Sequence, residues 1–182
     1  VKVNIASAET SQIGQTSRAT LDLAQLGENQ LTLKSAATGK EITLESINIQ
    51  MNNDPANGMG ALADVINKHS SETGITAKAV VSTTTDNPIA AGTTGADFAI
   101  NGVNIGAVVV SANDSESTLL AAINLKTTQT GVTATKTEEG GITLTSTDGR
   151  AISVTGDAED VLGNSAEEMS TVGHLEVTQA GS

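Results

Sequence analysis

The feature that most limits how this chain can fold is a stretch that occurs twice. Ile66-Asn67-Lys-His-Ser-Ser-Glu-Thr-Gly74-Ile-Thr-Ala77 returns as Ile123-Asn124-Leu-Lys-Thr-Thr-Gln-Thr-Gly131-Val-Thr-Ala134, 57 positions later, and Leu62 matches Leu119 upstream without a gap. Self-similarity at a fixed offset means that one supersecondary unit is used twice. Each copy reads as a short helix running into a strand. Leu119, Ala122 and Ile123 recur at the three- and four-residue steps of one helix face, behind Asp114 and Ser115, either of which can cap the start. In the first copy Asp54-Pro55 offers a cap with Pro at the first helical position. Gly58 and Gly60 delay the start to Met59, after which Met59, Leu62, Val65 and Ile66 form the buried stripe. Gly74 and Gly131 supply the positive φ with which the chain leaves each helix.

Hairpins flank the helices. Phe98 to Ile105 contains Asn101-Gly102, a pair suited to the two-residue turn whose twist matches paired strands, so Ile100 should face Val103 and Phe98 should face Ile105 beneath the helix. Ile142 to Val154 contains Asp148-Gly149. A three-residue loop there pairs Leu144 with Ile152 and Ile142 with Val154, whereas a two-residue turn would set Leu144 against Ser153. A further strand runs from Val132 to Thr137. In the first copy Leu31 and Leu33 face Ile42 and Leu44 across a turn at Ala37 to Gly39, then Ile47, Ile49 and Met51 follow. The apolar parity slips between Leu44 and Ile47, and a bulge near Ser46 restores it. The polar run Ser82 to Gly95, with little periodicity, is the natural boundary. The fold class is therefore α+β: two small, mainly antiparallel β domains, each a sheet with one short covering helix. Residues 1–88 with 157–182 form the first and residues 89–156 the second.

Composition narrows the function. Phe98 is the single aromatic residue, so the core is built from Ala, Val, Ile and Leu. A net charge of −12 with no cluster of Lys or Arg excludes the basic stripe that nucleic acid needs and repels an anionic membrane. It suits solubility at high local density. There is no Cys, hence no disulfide framework, thiolate metal site or thiol nucleophile. No stretch is long and apolar enough to span a membrane, and Val1 to Ala8 lack the features of a signal peptide. The chain begins without Met and reads as a piece of a longer one.

At the repeated residues the chain resembles flagellin, whose central region carries a repeat named for its Ile-Asn pair. The matching stretches are Gly60 to Asn67, Glu72 to Ala77, Phe98 to Gly106, Leu120 to Asn124, Thr130 to Val132 and Leu144 to Arg150. Ser11 to Gly14 and Gly173 to Leu175 look like the edges of the same insert. Ile66, Asn67, Gly74, Asn101, Gly102, Ile123, Asn124, Gly131, Asp148 and Gly149 carry the repeat. The resemblance implies a secreted structural subunit of the flagellar filament, whose exposed central domains serve motility and antigenic exposure. Its partners would be other flagellin subunits, with O-glycans on Ser and Thr such as Thr83 to Thr85 and Thr93 to Thr94. Residue by residue these read as polar surface. The long amphipathic helices through which flagellins polymerise have no counterpart before Ser11 or after Gly156, so the piece alone should be monomeric.

Chemistry is sparse. His69 and His174 stand far apart, so the His-Glu-x-x-His zinc motif of some proteolytic flagellins is missing. Asp157, Glu159, Asp160, Glu167 and Glu168 lack the alternating ligands and Gly of a calcium loop and read as a solvated segment. Neither a phosphate loop nor Gly-x-Ser-x-Gly occurs. Asn113-Asp114-Ser115 is a formal glycan acceptor that reads better as a helix cap. No catalytic, cofactor or metal residue is assigned. Two other readings are a hook-associated or filament cap protein with similar repeats and a surface adhesin module. The absence of Trp and Tyr argues against the adhesin, because sugars are gripped by aromatic faces.

Overall fold

A computed structural model describes residues 4–5, 17–21, 26–35 and 38–180; the Ser11 to Gly14 match and Ala36–Ala37 of the first turn lie outside the described residues. The two copies fold alike. Helix α1 spans Met59–Lys68 and is followed by one further turn, α2, at Ser70–Thr73; α3 spans Thr118–Asn124 and is followed by α4 at Thr127–Thr130. Gly74 (φ 71°) and Gly131 (φ 69°) both adopt the left-handed conformation, which redirects the chain into the strands Ile75–Val80 and Val132–Lys136. The helix starts differ. Asp54 accepts a hydrogen bond from the Ala56 N–H at 2.9 Å and opens a 3₁₀ turn, Pro55–Asn57, ahead of Met59. At α3 the Asp114 carboxylate accepts from the Leu119 and Leu120 N–H groups at 3.1 and 3.0 Å.

The architecture is α+β and mainly antiparallel, with Asn4–Ile5 beside Thr32–Lys34 as a parallel exception. One sheet has His174–Gln179 between Ser17–Leu21 and Ile75–Val80, and Ser17 stands opposite Gln179. A second sheet places Ile142–Ser146 between Val132–Lys136 and Ser82–Thr84. Since Ser82–Thr84 follows Ile75–Val80 almost directly, one extended run serves both sheets. A third sheet has Ala99–Ile100 between Val103–Asn104 and Val154–Thr155. In the first copy Leu33 pairs with Ile42, and the Leu44 N–H donates to the Leu31 carbonyl at 2.8 Å. Gly27–Asn29 continues that ladder against Ile47–Ile49. Two residues on one side, Gln30 and Leu31, oppose three on the other, Leu44 to Ser46, which is the count of a β-bulge at the expected place.

Two expectations need correction. Ile142–Ser146 does not fold back on Ile152 and Val154: it pairs with Val132–Lys136, while Ile152 bridges Thr171 and Val154 faces Ile100. The competing turn is Gly140-Gly141, where Gly140 takes φ 87° and the Thr137 N–H donates to the Gly141 carbonyl at 2.9 Å. Helix α3 lies mainly over Val132–Lys136 and Val109–Val110 rather than over the Asn101-Gly102 hairpin. Phe98 and Ile100 are buried, but Val103 and Ile105 only half so. The polar run Ser82 to Gly95, expected as the boundary, carries structure of its own. Ser82–Thr84 is a strand, Thr85 and Thr94 are buried, and Ile89 enters the core. That core is one cluster reaching from Leu31 and Met59 through Ile89 to Phe98, Ile123 and Leu144.

Candidate functional site

Among the described residues no three His, Asp or Glu side chains stand close enough to hold a metal ion. The repeated residues make clamps on backbone instead. Ile66 and Ile123 are wholly buried, and the Asn that follows each turns outward to the neighbouring strand. Asn67 Oδ1 accepts from the Ala77 N–H at 2.8 Å and Asn67 Nδ2 donates to the Ala77 carbonyl at 2.9 Å. Asn124 does the same to Ala134, at 2.8 and 3.0 Å. A carboxamide has the same donor and acceptor as a peptide group, so each Asn completes the ladder as a paired strand would. Thr73 and Thr130, whose role sequence reasoning missed, extend the clamp. Each donates to a helix carbonyl, His69 at 2.9 Å and Lys126 at 3.2 Å, and each accepts from the strand's first N–H, Ile75 or Val132, at 3.1 Å. The signal was present, since both Thr precede the Gly at the same place in the two copies.

Asn101 and Gly102 form the hairpin turn with φ of 52° and 74°. Asn101 is buried and does more than turn. Its Nδ2 donates to the Thr130 and Ala151 carbonyls at 2.8 and 2.9 Å, and its Oδ1 accepts from the Ser153 N–H at 2.7 Å. The hairpin is thereby tied to the end of α4 and to the segment leading into Val154–Thr155.

Asp148 and Gly149, read as a hairpin turn, stand instead where the two copies meet. The Gly60 N–H donates to the Gly149 carbonyl at 3.1 Å. A Cβ on Gly60 would run into the Asp148 carbonyl, and one on Gly58 into the Gly149 carbonyl, so backbone packs directly on backbone. Arg150 locks the junction. Its Nη2 donates to Asp148 Oδ2 at 2.6 Å and its Nε reaches both carboxylate oxygens at 3.0 Å. Its Nη1 donates to the Asn53 carbonyl and Oδ1 at 3.0 and 2.7 Å, while Asn53 Nδ2 donates to the Gln129 carbonyl at 2.9 Å. The guanidinium lies against Gly131, where a Cβ would stand 2.5 Å from Nε. Its hydrogen bonds hold the Asp148 carboxyl below the usual carboxylate value, and the carboxylate in turn raises Arg150. A lone Arg far from Asn53 in sequence gave no sign of this.

These arrangements hold backbone in place. Residues 97–148, which contain the second clamp and the Asn101 hairpin, match the family model described as the flagellin hook IN motif. The chain is 39% identical over 136 residues to flagellin A of Helicobacter felis and 38% identical over 136 residues to flagellin A of Helicobacter pylori, in each case 74% of this chain and 26% of the relative. Flagellin B of Helicobacter pylori is 32% identical over 146 residues, 74% of this chain and 28% of the relative. The chain thus spans about a quarter of the length of the relatives it matches. With the repeat, its clamps and these likenesses together, the chain is a segment of the flagellin family that carries an IN motif.

Proposed function

We propose that this segment is an exposed part of a flagellar filament subunit, structural rather than catalytic, standing outside the cell on the bacterial flagellum. The observation that carries the reading is the similarity to flagellins over 74% of the chain. The polar side chains of the two repeats are engaged on backbone rather than gathered around a reacting centre. The partners are then other flagellin subunits, and the role is motility together with antigenic exposure. No helix among the described residues is long and apolar enough to cross a membrane, and a net charge of −12 opposes binding to nucleic acid or an anionic membrane. Alone, the segment is monomeric. Of the threonines that resemble glycan acceptors, Thr84 and Thr93 are exposed and are the ones to carry O-glycans, whereas Thr85 and Thr94 are buried. Residues 1–88 with 157–182 act as the proximal unit and residues 89–156 as the distal one, joined through Ser82–Thr84 and Arg150.

Antibodies raised against residues 1–182 and applied with gold to intact flagella test the reading. Label along the whole filament is expected. Label confined to the hook or the tip favours a hook-associated or cap protein, which the word hook in the matching family's description keeps in view. No label on flagella at all overturns both.

A further inference from the structure

Among the described residues Ile75–Val80 and Val132–Lys136 are both outer strands: each is paired on one side only, with His174–Gln179 and with Ile142–Ser146. An outer strand shows unpaired N–H and C=O groups, on which another chain can build. Here those groups are closed at matching places. Ala77 and Ala134 give both their N–H and their C=O to an Asn carboxamide, and the strands' first N–H groups go to Thr73 and Thr130. Asn67 and Asn124 are themselves exposed, so the closure is made at the rim, where an incoming strand would arrive.

We propose that Asn67 and Asn124 are edge guards, each occupying the ladder positions at which a strand from a second copy of this chain would otherwise add. The occupant follows from the strands. Ile-Thr-Ala-Lys-Ala-Val and Val-Thr-Ala-Thr-Lys are built from small or branched residues and Thr, contain neither Pro nor Gly, and hold one Lys each as their only charge. Such segments pair readily with their own kind. The charge of −12 that keeps copies apart elsewhere does not shield this rim, because neither outer strand itself carries an acidic residue to repel a second copy. Closing the ladder chemically does what charge cannot. This role does not depend on the filament reading: it is a property of the 182-residue chain in solution.

The test is the Asn67→Ala, Asn124→Ala double variant of the whole chain, with its fold checked by circular dichroism, followed by sedimentation velocity and amide exchange across a hundredfold range of concentration. In dilute solution the Ala77 and Ala134 amides should exchange about tenfold faster than in the parent, since each has lost its partner. At high concentration the variant should associate and the same two amides should slow again. A folded variant that stays monomeric throughout overturns the proposal, as does association that leaves Ala77 and Ala134 fast. If the double Ala variant fails to fold, Asn67→Asp and Asn124→Asp serve with the single Ala variants. Asp keeps the acceptor for the strand N–H and adds a repelling charge, so it should remain monomeric where Ala associates. Equal association of the Asp and Ala variants overturns the proposal.

Discussion

Replacing Ile123 by Ala removes side-chain carbons from a residue with no exposed surface, in the same cluster as Leu119, Phe98 and Ile100. Buried Ile→Ala changes cost about 2–5 kcal/mol, the upper part where the surroundings cannot close over the gap. Here the next residue, Asn124, is fixed to the Ala134 backbone by two hydrogen bonds. Helix α3 therefore cannot sink onto the sheet, and about 3–4 kcal/mol is expected. With a urea slope of about 2 kcal/mol per molar, the midpoint should fall by roughly 1.5–2 M. The chain has no Trp or Tyr, so far-UV circular dichroism is the probe rather than intrinsic fluorescence. Leu125, two positions on, is 80% exposed and supplies the control: Leu125→Ala should stay within about 0.5 kcal/mol of the parent. An unchanged midpoint for Ile123→Ala, or equal losses for the two variants, would refute the helix register described above.

Gly60→Ala should destabilise, against the gain of about 0.5–1 kcal/mol that Ala usually brings to a helix, because its Cβ would meet the Asp148 carbonyl; a raised urea midpoint would argue against the backbone contact. Asn101→Ala strands the buried acceptors at Thr130 and Ala151 and the donor at Ser153, and should cost about 2–3 kcal/mol by the same measurement. The Asp148 carboxyl is depressed below its ordinary 3.8, chiefly by its hydrogen bond with Arg150, so its contribution is complete above that pH and is lost as pH falls through the folded value. The penalty of Arg150→Met, read as a urea midpoint, should accordingly be largest near neutrality and shrink in acid below about pH 3.8. A penalty that does not vary with pH would remove Asp148 from the account.

Local pattern disclosed much of this fold and little of its joints. The two helices, their glycine ends and their following strands were legible because period, cap and left-handed Gly agree at one place in each copy, and the bulge near Ser46 because alternation breaks there. The partner of Ile142–Ser146 was not legible. Gly140-Gly141 and Asp148-Gly149 both carry turn chemistry, and which of them makes the hairpin depends on where α1 presents Gly58 and Gly60, about 90 residues earlier in the chain. The clamps were half visible. The repeated Asn stood out, but whether its amide faced water or backbone depended on a strand ten positions on. Arg150 and Asn53 left no trace, since two polar residues of separate copies have no spacing to betray them.

The pairing of Ser17 with Gln179 has a mechanical consequence. Ser17–Leu21 and His174–Gln179 run antiparallel from that pair, so a pull on the backbone at both residues acts across the rungs of the ladder at one end. The rungs are then loaded in turn, beginning with Gln179 and Ser17 and moving toward Leu175 and Leu21. Sheets loaded this way peel at low force, whereas strands drawn along their length resist with all rungs at once. Tension applied through these two strands therefore strips the Ser17–Leu21 edge from its sheet first, before any load crosses the width of the sheet to the Asn-clamped strand Ile75–Val80.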